Sequence, residues 1–228
     1  MSVTKGPFII NLKNYLEISG DKALAFTKEA ERVSQKLGTR IVISPPQPLI
    51  AWVARNTSLE IVSQHVDFSP VGPSTGFTIP EMIKESGVVG SLINHSEHPI
   101  DINCIKEILK KMRSLELVSV VCTKNFNELT DISKLEPDYI AIEPPELIGT
   151  KRSISTEKPS LIKESSDYLL SNGVRSKLIC GAGINTPEDI RIALDLGSEG
   201  ILVASSIVKS DNWYEKIYEL AKQFKESK

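Results

Sequence analysis

The chain has 228 residues, a formal net charge of −2, 40% apolar residues and 25% charged residues. That balance suits a globular protein with a sizeable core, and offers no electrostatic footing for nucleic acid or an anionic membrane as a partner. No apolar run reaches the roughly 18 residues of a membrane span, and the start, MSVTKGPFII, lacks the long apolar segment of a signal peptide.

Short apolar runs alternate with longer amphipathic stretches from end to end. Strands are expected over residues 8–13, 40–44, 60–66, 90–96, 117–122, 139–143, 177–181 and 200–205. These runs are rich in Val and Ile and nearly continuous in apolar character, as parallel strands buried on both faces require. Helical stripes fall between them. Phe26, Ala30, Val33 and Leu37 share one face, as do Ile105, Ile108, Leu109 and Met112. Trp213, Ile217, Leu220 and Phe224 mark the last helix, and Pro187 with Glu188-Asp189 marks a helix start. The segment after the second strand, PLIAWVARN, allows only a short helix. Eight strand–helix pairs without a composition shift predict one (β/α)8 barrel domain over residues 1–228, with an open doubly wound sheet as the rival.

In such a barrel the C-terminal strand ends build the active site. Asn11 and Lys13 close the first strand with the same parity, and Lys13 can either neutralise an anion there or sit solvated at the surface. Asn94 and His95 follow the fourth strand, where an imidazole can hydrogen-bond a carbonyl or simply fill the core. His65 reads as a packing or interface residue and His98 as a loop residue. Glu143 ends the sixth strand, where a carboxylate can act as a general base, and Glu146 falls in an exposed loop. The last two strands end in CGAGIN and VASSIV, whose small residues allow backbone N–H groups to approach an anion. A cation, an imidazole, a carboxylate and an anion pocket suit proton abstraction beside the carbonyl of a small sugar phosphate. Cys104, Cys122 and Cys180 fit neither a disulfide framework nor a zinc site, and read as buried free thiols in a cytoplasmic protein.

NLKNY, NHSEH, EPPELIGT and GAGI, in this order at these strand ends, resemble the triosephosphate isomerase family in its short, archaeal form. The resemblance spans essentially the whole chain. It implies interconversion of dihydroxyacetone phosphate and glyceraldehyde 3-phosphate, in glycolysis and gluconeogenesis, with no metal and no cofactor. By matching position it makes Glu143 the base, His95 the electrophile and Lys13 the cation that offsets substrate charge. Asn11 would touch substrate, and Glu97 would partner Lys13. Ile148, Gly149, Gly183, Ala204 and Ser205 would give backbone N–H groups to the phosphate. Many relatives carry Gly-Gly where this chain has Ala204-Ser205, and serine where it has Gly183; both sites act through the backbone. Pro144-Pro145 would hinge a lid with Leu147-Ile148 as its apolar tip. The stretch 67–81 would mediate a homodimer or homotetramer, with Thr75 near the neighbouring site and Val71, Phe77 and Ile79 as its apolar content. Another sugar-phosphate ketol isomerase, or a non-catalytic phosphate-binding barrel, are the competing functions.

Overall fold

The computed structural model describes residues 6–226. Eight strands run β1 (Phe8–Asn11), β2 (Ile41–Ser44), β3 (Glu60–Ser63), β4 (Gly90–Ile93), β5 (Val118–Thr123), β6 (Tyr139–Ile142), β7 (Lys177–Cys180) and β8 (Gly200–Val203). Each pairs in parallel with the next, and β1 pairs with β8, so the sheet closes into a barrel. The open-sheet alternative is thereby removed. Helices fill the connections: α1 (Asp21–Leu37), α2 (Ile50–Arg55), α3 (Pro80–Glu85), α4 (Ile102–Ser114), α5 (Phe126–Ser133), α6 (Ile154–Glu157), α7 (Pro159–Ser171), α8 (Pro187–Asp195), α9 (Ser205–Val208), α10 (Trp213–Ala221) and α11 (Gln223–Glu226). The expected last helix is thus divided in two, and Ile217, Leu220 and Phe224 of its stripe are buried.

Several strands, among them β1, β3, β4 and β8, are shorter than their expected runs because the run continues into the loop at the C-terminal end of the barrel. Within them the period-2 alternation splits the core into two shells. Ile9, Val42, Val62, Leu92, Val120, Ala141, Ile179 and Leu202 point inward and pack together. Their neighbours Phe8, Ile10, Ile43, Ile93, Val121, Ile140, Cys180 and Ile201 point outward against the helices. At the N-terminal mouth Arg40 donates to both carboxylate oxygens of Glu60, at 2.8 and 2.6 Å, and to the Tyr139 hydroxyl at 2.8 Å. These contacts give the Arg40 charge a partner at the barrel floor.

Local chemistry fixes the helix ends. Asp101, Asn125 and Asn212 cap α4, α5 and α10 with side-chain oxygens. Thr186 and Asp189 form a reciprocal capping box at α8, with Pro187 just inside it, as the NTPEDI stretch predicts. Of the cysteines, Cys122 and Cys180 are buried, but Cys104 is exposed. It lies at the third position of α4, in a first turn whose Ile102 and Asn103 are exposed as well, so its place at the helix end rather than its helix face leaves it in solvent.

Candidate active site

β6 delivers the central carboxylate. Tyr139 and Ala141 point into the barrel, so Glu143 continues the same row two residues on. Its side chain is 7% exposed, and Oε2 is buried with no hydrogen-bond partner. Two neighbours that sequence reading passed over make the seat. A Cβ on Gly181 would lie 2.3 Å from Glu143 Oε1, so only glycine leaves room for this carboxylate. Beneath it, burial first, and then the adjacent Glu143 charge, push the Cys122 thiol well above its ordinary range. That group therefore remains a neutral thiol at neutral pH.

His95 faces this carboxylate. Asn94 takes a left-handed φ of 59°, which breaks the β4 alternation and turns His95 toward the barrel mouth. Asn94 can afford this because its side chain replaces the lost ladder: Nδ2 donates to the Cys122 carbonyl at 3.0 Å, and Oδ1 accepts the Ile100 N–H at 3.0 Å. The Glu97 N–H donates to His95 Nδ1 at 3.1 Å. An accepting nitrogen carries no proton, so the neutral ring holds its hydrogen on Nε2. Nε2 stands 3.8 Å from Glu143 Oε2, too far for a hydrogen bond, so both groups remain available to a molecule placed between them.

Lys13 lies past the end of β1 at φ 48°, so strand parity with Asn11 does not extend to it. A local turn does the work instead: Asn11 Oδ1 accepts the Lys13 N–H at 2.9 Å. Lys13 Nζ then reaches Glu97 Oε1 at 2.7 Å. Glu97 therefore holds two partners, steering Lys13 with its carboxylate and the His95 ring with its backbone.

These residues share one cavity of about 300 Å³ at the C-terminal mouth. Asn11, Lys13, His95, Glu143, Ile148, Gly149, Gly183, Ala204 and Ser205 all line it. Glu97 lines a second groove beside it. Tyr15, the last residue of NLKNY, also borders the cavity without having been given a role, and so do Lys151 and Lys209, which no sequence motif marked. The lid differs from expectation in one respect. Leu147 is 1% exposed and packs into the outer core, whereas Ile148 alone meets the cavity. The single 3-10 turn over Pro145–Leu147 rotates Leu147 inward, so it anchors the lid rather than forming its tip. Glu146 is exposed and ion-paired with Lys158, in keeping with a loop position. The far end of the lid rests on the β7 loop, where the Ile154 N–H donates to the Ala182 carbonyl at 3.2 Å. Gly183, at φ 71°, is in close contact there; a Cβ would lie 1.9 Å from the Arg152 carbonyl oxygen.

Comparison with known proteins gives a consistent result. A family model described as triosephosphate isomerase matches residues 7–221. A triosephosphate isomerase of Cenarchaeum symbiosum is 46% identical over 213 residues, covering 93% of this chain and 95% of the relative. One of Methanocaldococcus jannaschii is 39% identical, covering 94% and 98%, and one of Saccharolobus solfataricus is 42% identical, covering 89% and 88%. Among solved structures, a triosephosphate isomerase from Bartonella henselae superposes with a TM-score of 0.70 at 18% identity, covering 95% of this chain and 96% of that one, which speaks to the fold.

Proposed function

The chain belongs to the triosephosphate isomerase family and is an aldose–ketose isomerase, and we propose that Glu143, His95 and Lys13 carry its chemistry. The family sets aside both a ketol isomerase for another sugar phosphate and a non-catalytic barrel. The reaction interconverts dihydroxyacetone phosphate and D-glyceraldehyde 3-phosphate, moving a proton between C1 and C2 through an enediolate.

The observation that carries the assignment of roles is the unpartnered, buried Glu143 Oε2 facing the Nε2–H of a neutral His95. Glu143 takes a proton from the carbon beside the carbonyl. His95 Nε2–H hydrogen-bonds the carbonyl oxygen as negative charge develops on it. Lys13, held by Glu97, offsets that charge and the substrate's own, and Asn11 fixes the Lys13 backbone. The phosphate group lies at the other end of the cavity, against backbone N–H groups of Gly149, Gly183, Ala204 and Ser205, with Ile148 covering the reacting carbons. Replacing Glu143 by Gln tests the base. Turnover in a coupled assay should fall by about three orders of magnitude or more, while inhibition by inorganic phosphate changes little. Near-normal turnover would overturn the assignment.

We further infer a homodimer or homotetramer built through residues 67–81. Asp67 and Thr78 pin the loop base, with the Asp67 N–H donating to the Thr78 carbonyl and the Thr78 N–H to Asp67 Oδ2, both at 2.7 Å. Above this clasp Phe68, Val71 and Phe77 are 57%, 60% and 55% exposed. Ile79, by contrast, is buried in its own chain and contributes nothing to the tip. A groove of about 520 Å³ beside Lys13, lined by Gln64, His65, Glu97 and His98, is available to the tip of a second copy, which would bring Thr75 near this site. His65 there is hydrogen-bonded to Asp67 at 3.1 Å and stacked on His98, which suits packing rather than catalysis. We place the protein in the cytoplasm, where its thiols would stay reduced, as one barrel domain working without metal or cofactor. No helix among the described residues is long and apolar enough to cross a membrane.

A further inference from the structure

Three lysines line the cavity that holds Glu143: Lys13, Lys151 and Lys209. A phosphorylated substrate brings up to two negative charges beside the Glu143 carboxylate, so the supply of positive charge decides how well it is held. Lys13 is already committed to Glu97 at 2.7 Å. Backbone N–H groups contribute only partial charges. Lys209 is in a different situation. Among the described residues no carboxylate takes its ammonium, which rests instead over the Tyr15 ring, 4.7 Å from the centroid.

Its place in the chain points it at the phosphate end. The Lys209 N–H donates to the Ser205 carbonyl at 3.1 Å, so Lys209, which caps the C-terminal end of α9, stands one helical turn from Ser205 on the same side. Both border the cavity. The backbone beneath is pinned on two sides, by Ser206 Oγ donating to the Ile184 carbonyl at 3.0 Å and by Trp213 Nε1 donating to the Val208 carbonyl at 3.1 Å. The flexible part is therefore the four-carbon stem, which carries a compact charge across the cavity mouth.

We propose that Lys209 is a substrate-binding residue whose ammonium rests on Tyr15 in the free enzyme and moves onto the phosphate group of the bound substrate. The inference rests on the reading that phosphate lies against Gly183, Ala204 and Ser205. A ring face attracts a cation less strongly than a dianion in a half-enclosed cavity does, so the transfer is favourable. Tyr15 keeps the charge at the mouth without neutralising it, as a carboxylate would. Among the described residues no aromatic ring holds the Lys151 ammonium in this way.

The test is competitive inhibition by inorganic phosphate at low ionic strength, measured for the wild type, Lys209→Met, Lys209→Arg and a charge-matched control, Lys163→Met. Lys163 is on α7, outside the cavity, and pairs with Asp167. Lys209→Met should raise the inhibition constant about three- to tenfold, and added salt should shrink that gap. Lys209→Arg should recover most of the loss, and Lys163→Met should leave the constant where it was. If phosphate competes in the wild type but Lys209→Met binds it equally well, the inference on Lys209 is overturned alone. If phosphate does not compete in the wild type at all, the placement of the phosphate end fails with it.

Discussion

Replacing Gly181 by Ala should leave a folded but slow enzyme. The new Cβ would lie 2.3 Å from Glu143 Oε1 and 2.7 Å from its Cδ and Cγ, about 1 Å short of ordinary contact. Gly181 is not in the left-handed region, so alanine brings no backbone strain there and the effect is steric. The contact involves the Glu143 side chain, not a backbone wall, so Glu143 is the group that gives way. It has somewhere to go. A cavity of about 200 Å³ on its far side is bordered by Asn94, Ser96, Cys122 and Pro145. Overpacking of this kind costs about 1–3 kcal/mol of stability, which a barrel with so large a core survives. A shift of about 1 Å in a catalytic group costs roughly a hundredfold in rate. The assay is kcat and KM in both directions, beside a thermal melt and circular dichroism. The expected result is a loss of about two orders of magnitude carried mainly by kcat, with a melting point only a few degrees lower. Turnover within threefold of wild type, in a protein that melts normally, would show that the Glu143 seat does not depend on a missing Cβ.

Three further outcomes follow from other parts of the molecule. Burial alone would push the Glu31 carboxyl up, but hydrogen bonds from Lys28, from the Ser58 backbone and hydroxyl, and from Thr57 outweigh it and hold Glu31 at about 2, below its ordinary 4.5. A depressed carboxyl stabilises the fold above its unfolded value and loses that contribution as pH falls from 4.5 through about 2. Lys28 is half-exposed, so solvent screens part of this stabilisation, and Glu31→Gln should cost roughly 1–2 kcal/mol in urea melts near neutral pH, with the difference narrowing steadily below 4.5; a pH-independent gap would contradict the account. Replacing Ile148 to Lys151 by two glycines spares the Leu147 anchor but removes the cover and the Gly149 amide. The enediolate should then expel inorganic phosphate more often, raising the ratio of methylglyoxal to isomerised product, whereas a constant ratio would mean that the lid only binds. Phe77→Asp, at the 67–81 tip, should shift micromolar protein toward monomer in sedimentation; a wild type that is already monomeric would remove the interface.

The sequence by itself determined the architecture and the cast of residues. Eight β-branched runs separated by amphipathic stripes have few ways to bury every strand on both faces, and a closed parallel barrel is the simplest. Glu143 was legible for the same reason, because strict alternation carries it inward two residues after Ala141. Legibility ended where that alternation ended. Asn94 and Lys13 both leave the strand through positive φ angles, and no periodicity foretells where the next side chain will point. Leu147 looked like a lid tip because composition shows that it is apolar, but not which way a 3-10 turn will rotate it. The seat of Glu143 was invisible in principle. Cys122 and Gly181 lie 21 residues before and 38 residues after Glu143 in the chain and become its neighbours only when β5, β6 and β7 align. The meeting of Tyr15 with Lys209 is of the same kind, since β1 and β8 join only on closure of the barrel. Local sequence sets dihedral preferences and faces within an element; contacts between elements depend on register and closure, and these are properties of the whole sheet.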